Sequence, residues 1–156
     1  MGCLMPKAEF IEGYQLLSKI AYLDNRGAFT KLVDERQFDT LDLPIPIRQI
    51  NLSVNNKRGT VRGMHFQELP FADHKYVYCT QGLVFDSVVD LRPDSKTYKS
   101  WSSFILSPSC GILSIAEGLA HGFQTLKDDS TILYLHTAEY HLEHDVGINA
   151  LDPDVA

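Results

Sequence analysis

The sequence of 156 residues is poor in the features that would send a chain into a membrane, out of the cell or onto nucleic acid. Its longest unbroken apolar runs are four residues (20–23, 76–79 and 132–135), far short of the ~20 a spanning helix needs. Cysteine is scarce. Cys3, Cys79 and Cys110 are odd in number and never spaced C-x-x-C, so neither a disulfide framework nor a zinc knuckle is expected, and a reducing cytosol fits. Basic residues are outnumbered, with 14 Lys and Arg against 20 Asp and Glu and a net charge of −6. Phosphate neutralisation dominates nucleic-acid binding, so nucleic acid is not an expected partner. The opening Met1-Gly2-Cys3-Leu4-Met5-Pro6 has no charged start followed by an apolar block, and Pro6 stands where myristoylation favours Ser or Thr. No repeat or low-complexity stretch interrupts the chain, so one cytoplasmic domain over 1–156 is expected, with no membrane contact.

What the chain does have is short strands. The runs 45–53, 60–67, 76–80, 83–90, 102–106, 112–116, 120–126 and 131–137 are rich in β-branched and aromatic residues. Turn signals such as Asn55-Asn56, Gln81-Gly82, Pro93-Asp94 and Asp128-Asp129 separate them. One helix is expected, capped by Asp34, running through Glu35, Phe38 and Leu41, and stopped at Leu43-Pro44. Strands at such close spacing predict an all-β fold: an antiparallel jelly roll with one or two short helices.

Alternate strand residues share a face. Asp86 therefore lies with Val84 and Val88, Tyr134 with Ile132 and His136, and Lys75 with Val77 and Cys79. If those faces line the interior, a carboxylate, a phenol and an ammonium meet in one cavity; the opposite register turns them to solvent. Burying such groups costs several kcal/mol unless they are paired or serve a ligand. In Arg62-Gly63-Met64-His65-Phe66-Gln67 the imidazole is a natural base, and Gly63 suggests a bulge aiming Arg62 and His65 into one space despite their unequal parity. Glu117-Gly118-Leu119-Ala120-His121-Gly122-Phe123 presents a second imidazole between small residues. His65 and His121 alone would supply two of the three or more ligands a stable metal site needs, so no metal is expected. His136, His141 and His144 are expected on an outer strand or loop. Lys57, Arg58, Arg62 and Lys75 are local cations sufficient for a small phosphorylated ligand, although Lys57-Arg58 reads first as a solvated turn.

Taken in order, Asp24-Asn25-Arg26-Gly27-Ala28-Phe29, Gln49-Ile50-Asn51, Arg62-Gly63-Met64-His65-Phe66-Gln67, Lys75-Tyr76-Val77, Phe85-Asp86 through Asp90-Leu91-Arg92, Gly118-Leu119-Ala120-His121-Gly122-Phe123, Tyr134 and Tyr140 form a set. The set resembles the dTDP-4-dehydrorhamnose 3,5-epimerase family, the RmlC-type cupins, from about Tyr22 to Pro153. The resemblance implies a cupin-type jelly roll acting on a nucleotide-diphosphate 4-keto-6-deoxyhexose without a cofactor. His65 would remove a proton beside the C4 ketone, and Tyr134 would return one on the opposite face. Lys75 would lie at the ketone oxygen, with His121 and Asp86 supporting the pocket. Arg62 would contact the diphosphate, and Gln49 and Asn51 the nucleotide and sugar. Arg26 and Phe29 would reach the neighbouring subunit's site, so residues 1–44 would contribute to a homodimer.

The sequence departs from the family at one place. The family's base histidine is oriented by an aspartate in a C-terminal L-S-x-K-D stretch, and this sequence, ending Asp152-Pro153-Asp154-Val155-Ala156, contains none. Base and orienter work as a pair, so either the sequence is a truncated product, or another acid substitutes, or activity is weak. The alternative readings are a metal-free 3,4-ketoisomerase, a sugar-nucleotide binding module without catalysis, and a metal-dependent dioxygenase-like cupin.

Overall fold

The computed structural model describes residues 3–7 and 10–155, so the reading of Gly2 lies outside the described residues. Strands β1 (Leu4–Lys7), β2 (Tyr14–Leu17), β3 (Ile20–Asp24) and β4 (Gly27–Lys31) precede the α-helix α1 (Glu35–Thr40). Then follow β5 (Gln49–Asn55), β6 (Val61–Gln67), β7 (Lys75–Gln81), β8 (Val84–Asp90), β9 (Trp101–Leu106), β10 (Ile112–Ile115), β11 (Leu119–Thr125), β12 (Ser130–His136) and β13 (Asp145–Gly147). All pairings are antiparallel, in a six-stranded sheet ordered β1-β9-β8-β11-β6-β13 and a five-stranded sheet ordered β2-β10-β7-β12-β5. The expected all-β jelly roll is what forms.

The two inner faces make the main core. Val84, Val88, Phe104 and Phe123 from the larger sheet pack against Val77, Leu113, Ile115 and Ile132 from the smaller one. Strand β8 shows the alternation behind this: Val84, Asp86 and Val88 are buried, whereas Phe85 and Ser87 between them are only partly covered. Strand β7 breaks it, because α1 covers the other side. Phe38 packs at a tilt against Tyr76, 4.7 Å between ring centroids, and closes a second apolar cluster on the outer face of the smaller sheet. Each fully buried aromatic of this kind stabilises by about 2–3 kcal/mol.

Three expectations need correction. The sequence reading begins its strands at residue 45, but four strands come earlier. They are four- or five-residue edge and hairpin pieces, too short to show a period. The expected strand from Ile45 starts instead at Gln49, since Pro44 and Pro46 supply no ladder N–H. Asp34 is the N-cap by position, yet its carboxylate makes no cap bond and takes Lys31 Nζ at 2.7 Å instead. Cys3 and Cys110 form a disulfide, where unpaired thiols were expected. The β1–β9 ladder sets Leu4 opposite Ile105, which carries Cys3 to the turn holding Cys110, a pairing that a sequence separation of 107 conceals. Cys79 stays free and buried. Among the described residues no helix is long and apolar enough to cross a membrane.

Candidate active site

Between the two sheets lies a cavity of about 240 Å³, opening into a smaller lobe of about 40 Å³; His65, Lys75, Asn51, His136 and Tyr140 line both. A larger apolar hollow of about 460 Å³ sits beneath residues 148–155 beside Met64, Val89 and Trp101, and lacks any imidazole or ammonium. The chemistry is therefore concentrated between the sheets.

His65 reaches this cavity from the larger sheet because of a bulge. On β11 two steps separate His121 from Phe123, but their partners on β6, His65 and Arg62, are three residues apart. The extra residue restores a common face to Arg62 and His65, which both line the cavity. Gly63 makes the bulge possible. Its φ is +87°, and a Cβ there would collide with the His121 carbonyl oxygen.

The imidazole of His65 is half exposed, and its Nδ1 lies 3.1 Å from Asp145 Oδ1. Tyr140 Oη donates to the other oxygen of Asp145 at 3.1 Å. Burial and then the nearby Lys75 charge push His65 below its ordinary pKa, and Asp145 partly opposes both. His65 is thus held neutral with one ring nitrogen fixed, the state a general base needs.

The smaller sheet supplies the opposite wall. Tyr134 on β12 faces Asn51 of β5 and Val77 of β7 in the ladders. Burial first, then the Asp86 charge, raises the Tyr134 phenol far above its usual value, so the proton stays on oxygen. Lys75 opens β7 with its side chain 5% exposed. His121 and Asp86 are sealed behind, with Nε2 and Oδ2 2.8 Å apart, and Tyr14 Oη adds a longer bond to Asp86 at 3.4 Å. The His121 ring stands edge-on to Tyr134 at 6.3 Å.

Of the remaining sequence-derived residues, Arg62 lines the cavity with Nε donating to Asn55 Oδ1 at 2.8 Å. Gln49 lines the smaller lobe and accepts from the Tyr140 backbone N–H at 3.1 Å. Arg26 and Phe29 are elsewhere. They stand on the β3–β4 hairpin, which joins neither sheet, with Arg26 paired to Asp24 and Phe29 70% exposed. His136 was expected on an outer strand or loop; it instead ends β12 on Tyr134's face and lines the cavity. The period-two reading that put it with Tyr134 held the signal. His141 caps and His144 ends a one-turn 3-10 helix (Leu142–His144), both against Phe71. Asp73 and Asp145 were missed. Asp145 belongs to a three-residue strand that joins β6 from 80 residues away, and no local pattern marks it.

A family model described as dTDP-4-dehydrorhamnose 3,5-epimerase matches residues 9–156. The chain is 38% identical over 148 residues to the dTDP-4-dehydrorhamnose 3,5-epimerase of Mycobacterium tuberculosis, covering 94% of this chain and 73% of that one. A crystal structure of the Bacillus anthracis enzyme with TDP and PPi bound superposes with a TM-score of 0.90 at 34% identity, over 99% of this chain and 89% of the other. The Legionella pneumophila enzyme in complex with dTDP-4-keto-L-rhamnose gives 0.88 at 30% identity, over 98% and 81%. The match runs nearly the length of the chain: the chain belongs to the dTDP-4-dehydrorhamnose 3,5-epimerase family.

Proposed function

We propose that this protein is an epimerase that inverts C3, C5 or both of a nucleotide-diphosphate 4-keto-6-deoxyhexose of the dTDP-4-dehydro-6-deoxyglucose type. The observation that carries the reading is the opposition of His65, on one sheet, to Tyr134 and Lys75, on the other, across a single cavity. Inversion requires a base on one face of the carbon and an acid on the opposite face. A hydrogen beside a ketone is acidic enough to remove only if the enolate oxygen is stabilised as it forms.

The roles follow. With Nδ1–H donated to Asp145, His65 turns its free Nε2 to the sugar and takes the proton from the carbon beside the ketone. The C–H electron pair moves into the ring and the carbonyl pair onto oxygen, where the Lys75 ammonium meets it. Tyr134 then gives its proton from the far side. Asp145 does for His65 what an orienting carboxylate does in any base-and-orienter pair. Sealed behind the sugar, His121 and Asp86 keep the pocket polar and rigid, and Arg62 at the mouth takes the diphosphate.

The active unit is a homodimer. Tyr22, Leu23 and Phe29 on the hairpin are 56%, 79% and 70% exposed, and Ile50, Leu52 and Val54 leave the outer face of edge strand β5 open. A hairpin that pairs with neither sheet of its own chain is suited to deliver Arg26 and Phe29 to a neighbour's cavity. The same reading places the protein in the cytoplasm with its nucleotide-sugar substrate. Incubation with that substrate in heavy water tests it. Deuterium is expected at C3, C5 or both, with the ketone still at C4. No exchange by folded protein refutes the reading, and a carbonyl relocated in the carbon NMR spectrum assigns a ketoisomerase instead.

A further inference from the structure

The steps above leave Asp73 and His136 unused, although both belong to the cavity wall. Asp73 lies two residues before β7 begins at Lys75, with its side chain 2% exposed, and its two oxygens are divided between His136 and Lys75. Oδ2 is 2.7 Å from His136 Nδ1, a true hydrogen bond, whereas Oδ1 is 3.8 Å from Lys75 Nζ, an ion pair without one. Lys75 and His136 are directly opposed in the β7–β12 ladder, so their side chains leave the sheet side by side. Burial resists ionisation of Asp73, but the His136 bond and the Lys75 charge outweigh it and hold the carboxyl below its ordinary value. An ionised carboxylate only accepts, so Nδ1 of His136 carries a proton.

That leaves Nε2. It has no hydrogen-bond partner among the described residues, and the ring lines both lobes of the cavity. The His136 side chain is 19% exposed, so a ligand entering the cavity can reach this nitrogen. One nitrogen pinned by a buried carboxylate and the other open to a substrate cavity is the arrangement of an imidazole that works on a ligand.

We infer that His136 is a further catalytic residue, a second donor that shares with Lys75 the ketone oxygen as it becomes negative; the inference rests on the epimerase reading. In this role the ring gives Nδ1–H to Asp73 and Nε2–H to the substrate oxygen. As the C–H bond breaks, the proton goes to His65 and the electron pair becomes a ring double bond. The carbonyl pair settles on oxygen between Nζ and Nε2–H. On collapse the pair returns to the carbonyl and the carbon takes a proton from Tyr134, so His136 keeps both of its protons. Exchange with water then restores His65 and Tyr134. By taking the hydrogen bond of Asp73, His136 also leaves the Lys75 ammonium free for the oxygen; a lysine in full contact with that carboxylate would have its charge answered inside the wall.

The test uses the full chain with dTDP-4-dehydro-6-deoxyglucose, comparing wild type with His136→Ala and His136→Gln. Loss of one preorganised oxyanion donor predicts a kcat lower by about 10²-fold for His136→Ala, with the affinity for dTDP alone, read by calorimetry, unchanged. His136→Gln keeps an N–H donor and is expected to recover part of the loss. A His136→Ala kcat within about threefold of wild type overturns the inference, since a preorganised donor is worth far more. So does a loss of kcat matched by an equal loss of dTDP affinity and a lowered Tm, which marks packing damage. A wild-type protein that exchanges no deuterium defeats the epimerase reading itself, and is distinguished from the first two outcomes by the control.

Discussion

Asp145→Asn changes one atom of the protein and removes the carboxylate 3.1 Å from His65 Nδ1. Two effects follow, and their signs differ in what they touch. The amide can offer its NH₂ to Nδ1, which favours the tautomer carrying its proton on Nε2, where a base needs a lone pair. In a fully buried triad such an exchange costs ~10⁴ in kcat. Here Asp145 keeps 23% of its side chain exposed and His65 49%, so water competes for Nδ1 and the loss is smaller, about 10²-fold, the lower end of what a general base contributes. The second effect is on pH. Asp145 raises the His65 pKa through its hydrogen bond and its charge, against the lowering by burial and Lys75. Without it the imidazole loses its proton at lower pH, so the acid limb of kcat/KM moves down in pH while the plateau falls. The fold is expected to lose at most about 1 kcal/mol, a Tm shift of roughly 2–4 °C, from the exposed bonds that also break. The assay is the rate of deuterium entry at C3 and C5 by proton NMR across the pH range. An unchanged plateau, or an acid limb moving upward, refutes the role given to Asp145.

Tyr134→Phe removes the acid and is expected to lower turnover by ~10²–10⁴-fold with the affinity for dTDP unchanged, read by the same NMR assay and by calorimetry. Gly63→Ala places a methyl against the His121 carbonyl at a φ of +87°, and is expected to lower stability by about 2–5 kcal/mol in urea unfolding and to abolish activity. Gly59→Ala is the control: its φ is +83° but nothing lies within 4 Å of the added carbon, so about 1 kcal/mol is expected with activity intact. His74, buried and bonded through Nε2 to Ser114 Oγ at 2.8 Å, is pushed down to about 4 by burial. Its folded pKa lies below the unfolded one, so the unfolded chain binds the proton first as pH falls. Stability is full above about pH 6.5 and declines toward pH 4, by about 2 kcal/mol between pH 7 and pH 5 from this group. In His74→Gln the difference between urea midpoints at those two pH values is expected to shrink accordingly, and equal differences in both proteins refute the assignment.

The central strands were legible in the sequence because each buries one face against a core and exposes or partly covers the other, as β8 does with Val84, Asp86 and Val88. The outlying strands were not. β1, β2 and β13 are three or four residues long and are fixed by neighbours far along the chain. In the site, the side chains that protrude alternately from long strands (Lys75, Asp86, Tyr134) could be assigned to a face, and Gly63 announced the bulge that brings Arg62 and His65 together. The segment Phe85-Asp86 to Leu91-Arg92 reads as one motif yet divides in the fold. Asp86 turns inward to His121, while Asp90 anchors the following loop through Arg92, Ser95 and Thr97. Burial opposes the ionisation of Asp90, and those bonds outweigh it, holding its carboxyl well below the usual range.

Two of the carboxylates that govern the imidazoles, Asp73 and Asp145, stayed hidden for a physical reason. Three histidines reach one cavity, and each has its own acid: His65 with Asp145, His121 with Asp86, His136 with Asp73, at sequence separations of 80, 35 and 63. Spacing along the chain carries no trace of such pairs, because each is made by strands meeting across a ladder or a sheet edge. Their burial then sorts them. The His121–Asp86 pair is 3% and 0% exposed and reaches no solvent, so it suits a fixed dipole behind the sugar. His65 is 49% exposed, and a base that must shed its proton to water each cycle needs that access. His136 lies between, 19% exposed over a carboxylate that is 2% exposed. That partial burial lets the ring keep its bond to Asp73 while still touching the substrate, and it separates the inferred oxyanion donor from the base by environment.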